Sequence, residues 1–182
     1  IRAPPRFTLF PYTTLFRSRA AVPRVMADIV ITSNGGYPLD QNIYQAVKGM
    51  TAGEACVRRD GVIIMAAACE DGHGGDAFYR WFAEEPSPAA ILRKIQAIDQ
   101  QHTLPDQWEA QILARVLEHC RVILVTDCCD PDLVRAMQML HAPDMATALS
   151  MATALVTATT ATTATTETTE TTERSEERRV GK

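Results

Sequence analysis

Three short runs of apolar, mostly β-branched residues limit what this chain folds into more than any other feature. They are DIVIT at 28–32, GVIIMAAAC at 61–69 and RVILVTD at 121–127. Each is continuous rather than alternating, the pattern of parallel strands covered on both faces, and helical segments separate them. That rhythm predicts an α/β fold: a Rossmann-like open, mostly parallel sheet with helices on both faces. Each run ends in polar or glycine-rich sequence, SNGG, EDGHGG and DCCDP. Ligands in such sheets bind outside the carboxyl ends of the strands, so Ser33, Asn34, Glu70, Asp71, His73 and Asp127 lie along the edge where function is expected.

The two ends do not belong to this pattern. Residues 174–182, RSEERRVGK, can be written AGA TCG GAA GAG CGT CGT GTA GGG AAA. The reverse complement translates as FPYTTLFRS, which is residues 10–18. Two termini of one protein have no physical reason to be antisense copies, whereas an adapter on both ends of a DNA fragment has one. Residues 1–18 and 174–182 are therefore read as adapter-derived scars. Residues 157–173, TATTATTATTETTETTE, are a Thr-rich repeat with too little aliphatic surface to offset its ordering entropy, and are expected to be disordered. One domain remains, residues 19–156.

Charge excludes one class of partner. Between Ala27 and Ser150 stand 9 Lys or Arg against 17 Asp or Glu, a net of −8. So acidic a domain has no electrostatic footprint for nucleic acid. No run approaches the roughly 20 apolar residues of a membrane span. The five cysteines, Cys56, Cys69, Cys120, Cys128 and Cys129, are odd in number and lack a C-x-x-C, the usage of reduced thiols in a cytoplasmic protein. The four histidines are far apart, so no zinc-type cluster is visible.

Two helices can be read in detail. The first follows Pro38, with Asp40 as the expected N-cap. Ile43, Val47 and Met50 share its buried face, while Gln41, Tyr44, Gln45 and Lys48 gather on a separate stripe. Gly49 suggests close approach of another backbone. The second spans TLPDQWEAQILARVLEHC, 103–120, where Thr103 and Asp106 resemble a capping box and Pro105 suits the first turn. Trp108 stands at the margin of its apolar arc, either lining a cleft or closing the edge of the core. Between them, Phe78, Trp81 and Phe82 read as packing, and Ile91, Leu92, Ile95 and Ile98 as the inward face of an amphipathic helix. His73 in DGHGG is a turn histidine with no visible orienting partner. On these patterns alone, Gln45 and Lys48 are either a solvated helix face or a clamp.

Resemblance separates the two. DIVITSNGGYPLDQNIYQAVKGM, GVIIMAAACEDGHGG followed by FYRWF, and DQWEAQILAR closely resemble the carboxyl-terminal domain of the nickel-dependent lactate racemase family, over about residues 27–150. The resemblance implies a cleft between two domains. The amino-terminal domain would carry a nickel-pincer pyridinium mononucleotide, the histidine that ligates nickel and two acid/base histidines. The carboxyl-terminal domain would bind the substrate, a small 2-hydroxy acid such as lactate. The family's Gln-x-x-Lys pair falls on Gln45 and Lys48 and its tryptophan on Trp108, with Tyr44, Glu70, Asp71 and His73 as candidates for the cleft rim. By the same resemblance, the C2 hydrogen leaves as hydride and returns to either face of a planar keto acid.

The amino-terminal domain has no counterpart in these residues, and the family's last strand, expected after MATALSMATAL, is replaced by the Thr repeat. The fragment is thus expected to bind no cofactor or metal, to carry no catalytic residue of its own and to be inactive alone. The alternatives are a non-catalytic Rossmann-like small-molecule-binding or interaction module, and a thiol enzyme using Cys128 or Cys129.

Overall fold

All three runs become strands, and a fourth joins them. The computed structural model describes residue 23 and residues 25–161. It contains one parallel sheet of β1 (Ala27–Ser33), β2 (Val57–Ala66), β3 (Arg121–Val125) and β4 (Leu140–Ala142), paired in that order. The sequence Leu-His-Ala of β4 carries no β-branched residue. Its pairing with Ile123–Val125 makes it a strand. Between β1 and β2 the register jumps from Ala27↔Val57 to Ile29↔Val62. Gly61 sits at this irregularity, where a Cβ would come within 2.7 Å of the Asp28 carbonyl oxygen.

Helices α1 (Ile43–Glu54), α2 (Asp76–Ala83), α3 (Pro88–Gln96), α4 (Gln107–His119) and α5 (Pro131–Ala136) contribute to the core on one face of the sheet. There Ile43, Val47 and Met50 of α1 and Leu113 and Val116 of α4 are buried with Ile63 and Met65 of β2. Alternate strand residues point to opposite faces. Accordingly Val62, Ile64 and Ile123 form a second core with Ala148 and Ala152 of α6, residues 145–161. Both faces therefore carry helices, but unequally. The packing of α6 centres on β2, β3 and β4, leaving Ile31 on β1 55% exposed. Two-sided burial, expected for every strand, fails at this edge.

Local details correct several further expectations. The N-cap of α1 is Asn42, whose Oδ1 accepts from the Gln45 N–H at 3.0 Å. Asp40 is drawn away instead, its Oδ2 accepting from the Ala68 N–H at 3.1 Å. The capping box at Thr103 does not form: Asp106 precedes α4 with φ +56° and no side-chain cap, and Gln107 Oε1 accepts from the Leu104 N–H. Gly49 admits side chains rather than a backbone. A Cβ there would lie 2.7 Å from Asn34 Oδ1 and 2.8 Å from Met65 Cε.

Disorder also fails at the start of the repeat, because α6 runs through residue 161. The Thr157 and Thr160 hydroxyls donate to carbonyls one turn back, a local bond that helical threonine can make. The remainder of the repeat and both segments read as adapter-derived lie outside the described residues.

Candidate functional site

The first helix is set down against the sheet by its neighbours' polar groups. Asn34, just after β1, donates its amide to the Leu39 carbonyl ahead of α1 and to the Gln45 carbonyl within it. The loop after β2 closes over the helix start, with the Ile43 N–H donating to Gly72 O at 2.9 Å and the Tyr44 N–H to His73 O at 3.3 Å. Gly74 makes this possible: its φ is +86°, and a Cβ would lie 2.7 Å from Asn42 Cγ. Orphan N–H groups at a helix start are thereby satisfied without water.

On this anchored helix the Lys48 ammonium donates to Gln45 Oε1, so the two predicted clamp residues are brought together. Lys48 is exposed and Gln45 half-buried. One turn before Lys48, the Tyr44 ring meets Trp108 edge-on, with centroids 6.0 Å apart and planes at 86°. Trp108, 55% exposed, is not a core edge but an indole standing at the surface where α1 meets α4. Tyr44 is backed in turn by Phe78, with centroids 5.2 Å apart. At the far end of the two helices, the Arg115 guanidinium grips Glu54 with two bonds of 3.0 and 2.7 Å, fixing α4 against α1.

Glu109 is the residue that the sequence reading passes over. It follows Trp108, is 1% exposed, and its Oε1 has no hydrogen-bond partner. Burial pushes its carboxyl above the usual range; Asp106 adds to the rise and Lys48 offsets part of it. Burial likewise raises the Tyr44 phenol, with Glu109 and Asp106 adding to the rise and a bond with Trp108 opposing it. The signal was available, because position 109 falls inside the apolar arc of α4, where an acid is out of place.

The sign of its pH dependence follows. Above the ordinary carboxylate range, and up to the raised value, the folded state keeps a proton on Glu109 that the unfolded state has released. Stability contributed by this group therefore falls as pH rises through that window, and below it the loss is absent. Glu109→Gln is expected to remove this downward slope, read as the urea midpoint measured across acidic to neutral pH. An unaltered slope would contradict the burial argument.

The rim candidates scatter more than expected. His73 does have an orienting partner, with Nε2 3.6 Å from Asp76 Oδ1 and Nδ1 accepting from the Gly75 N–H at 2.9 Å. Its ring stacks on Tyr79. Asp71 is exposed, its backbone tied to the Gln41 carbonyl. Glu70 is exposed in the turn that follows β2. A separate groove between α2, α3 and residues 104–105, lined by Arg80, Trp81, Lys94 and Leu104, contains none of the predicted site residues.

The surroundings of Cys69, Cys120, Cys128 and Cys129 oppose ionisation. The hydrogen bond to Asp127 raises Cys128 most, and burial raises Cys129. Burial pushes Cys69 and Cys120 up to about 12. A reactive cysteine needs the opposite shift. Iodoacetamide at neutral pH is expected to modify exposed Cys128 well before Cys69, Cys120 or Cys129, and then only slowly. Peptide mass mapping of a time course checks this, and rapid labelling of a buried thiol would refute it.

Among the described residues no group of three or more His, Cys, Asp or Glu could hold a metal ion. Nor is any helix among them long and apolar enough to cross a membrane.

Comparison with known proteins gives the geometry a context. Residues 22–169 match the family model described as the lactate racemase C-terminal domain. The chain is 60% identical over 126 residues to a lactate racemase of Thermoanaerobacterium thermosaccharolyticum, covering 69% of this chain and 30% of that protein. It is 52% identical over 120 residues to a lactate racemase of Lactiplantibacillus plantarum, covering 66% and 28%. The chain thus spans less than a third of these curated relatives. A solved structure, the lactate racemase apoprotein from T. thermosaccharolyticum, superimposes with a TM-score of 0.75 at 56% identity, covering 78% of this chain and 34% of that one.

Proposed function

Since the chain belongs to the lactate racemase C-terminal domain family, we propose that it forms the substrate-holding half of a 2-hydroxy-acid racemase. The observation that supports this most is local. Lys48 and Gln45, hydrogen-bonded to each other, project from the same stripe of α1 whose Tyr44 meets the exposed Trp108 of α4.

Each residue type suits one part of such a substrate. The Lys48 ammonium is a partner for the carboxylate, and its hydrogen bond to an anion is charge-assisted. The Gln45 amide both donates and accepts, so it can follow a C2 hydroxyl as it becomes a carbonyl. Trp108 supplies an apolar wall that limits substrate size and displaces water. Racemisation requires that the substrate stay in place while its C2 hydrogen leaves and returns to either face. These residues do the holding. The nickel-pincer pyridinium mononucleotide implied by the resemblance belongs in this reading to an amino-terminal domain, which is the partner this domain requires. By itself the domain is expected not to racemise lactate.

Trp108→Ala tests the wall. In the chain joined to the amino-terminal domain of a lactate racemase, it is expected to lower kcat/KM for lactate by about tenfold and to favour hydroxy acids with longer side chains, since one methylene in an apolar pocket is worth roughly 10- to 200-fold. Steady-state rates on a series of 2-hydroxy acids measure it. An unchanged preference along the series would remove Trp108 from the site. If the domain were instead a non-catalytic binding module, no such joined protein would racemise any member of the series.

A further inference from the structure

We infer that Glu109 is a positioning residue of this site: its buried carboxyl, next to Trp108 and on the side of α4 that meets α1, holds the Lys48 ammonium at the mouth of the cleft. In this structure the ammonium bonds Gln45 and the Glu109 Oε1 is unpartnered, so the pairing is the inference; what it is for rests on the reading of Lys48 as a carboxylate clamp.

The geometry carries the argument. Glu109 interrupts an otherwise apolar arc, is 1% exposed, and leaves Oε1 without a protein partner. A buried carboxyl oxygen in that state is costly unless a mobile group comes to it. The helix facing it is α1, tied to α4 by the Glu54–Arg115 pair at one end and the Tyr44–Trp108 contact at the other. Lys48 lies between those two ties in sequence, one turn after Tyr44. Tyr44 and Lys48 share the stripe of α1 whose Tyr44 ring meets Trp108, the neighbour of Glu109, and Asp106 stands at the start of α4; Lys48 is the one cation of these three. Its ammonium has three donors, one of which goes to Gln45. A second toward Glu109 fixes the end of a long, flexible stem, and the third remains for a ligand. A lysine so held loses less rotamer freedom when an anion arrives.

The chain has three lysines, Lys48, Lys94 and Lys182, so reductive methylation with a 13C label gives an NMR spectrum in which each can be followed. The Lys48 signal, assigned with Lys48→Arg, is expected to show an inflection at the pH where Glu109 ionises. That inflection disappears in Glu109→Gln and returns, displaced, in Glu109→Asp, while Lys94, paired with Glu85 at 2.6 Å, does not change. Identical Lys48 profiles in the parent and Glu109→Gln overturn the proposal. Should Glu109→Gln fail to fold, Lys48→Met at an exposed position gives the converse measurement. The Glu109 carboxyl carbon then titrates higher than in the parent, and a carboxyl that does not move overturns the proposal equally. None of these readouts uses a substrate. A lactate titration that leaves the Lys48 signal still would instead count against the clamp, with the Glu109 contact standing.

Discussion

Replacing Lys48 with alanine, in the chain joined to the amino-terminal domain of a lactate racemase, is expected to lower kcat/KM for lactate about tenfold to a hundredfold. Hydrogen bonds to charged groups contribute roughly 1.5–3 kcal/mol, and each 1.4 kcal/mol is a factor of ten. The loss should be concentrated in KM, because a carboxylate partner acts on the bound substrate and the transition state alike. Lys48→Arg keeps the charge and should recover part of it, though a planar fork does not reproduce the position of an ammonium. Lys48 is exposed at the surface of α1, so the variant should fold as the parent does, and circular dichroism and the urea midpoint separate the two effects. Racemisation undiminished in Lys48→Ala would end its assignment as the clamp.

The largest effect on stability is expected at Phe78. Its side chain is fully buried and lies between Tyr44 and Phe82, with ring centroids at 5.2 and 5.5 Å. Phe78→Ala removes the transfer free energy of the ring and leaves a cavity between α1 and α2, a loss of about 3–5 kcal/mol. That is a large share of the stability of a domain of this size, typically 5–15 kcal/mol. Phe78→Leu refills most of the space and should cost much less. Urea denaturation of the two variants measures the difference. A loss below about 1 kcal/mol for alanine would mean that the α1–α2 contact is not the support it is taken for. The same substitution deprives Tyr44 of its backing, so it should also loosen the Trp108 contact, and the effect on the site is felt through the fold.

Much of the fold could be read from residue pattern, because the core strands are unusually plain. The β-branched runs at 28–32, 61–69 and 121–127 cover most of β1, most of β2 and all of β3, and the arc of Ile43, Val47 and Met50 is fully buried. Failures came where tertiary contacts outvote local chemistry. The strand β4 is three residues long and is defined by its neighbour. Asp40 is a good N-cap by type, yet the Ala68 N–H claims it and Asn42 takes the cap. Thr-rich sequence without an aliphatic face reads as disordered, yet the alanines at 148 and 152 seat α6 on the sheet and carry the helix on through residue 161.

The site was legible in a different way. Pattern alone left Gln45 and Lys48 undecided between a solvated face and a clamp, and the resemblance of long motifs is what favours the clamp. It did not bring out Glu109, because a search for polar stripes passes over an acid inside an apolar arc.

The most direct test of the central claim, that an ammonium and an amide on α1 share a cleft with the indole on α4 and receive a small hydroxycarboxylate there, is a titration followed at both walls. In the chain joined to the amino-terminal domain of a lactate racemase, the Lys48 signal and the Trp108 indole N–H are recorded by NMR as L-lactate is added, with neutral lactamide as the control. Both signals should move together and saturate with lactate, and neither should move with lactamide at the same concentrations. If lactate moves neither, or if lactamide moves both as far, the cleft does not receive a carboxylate.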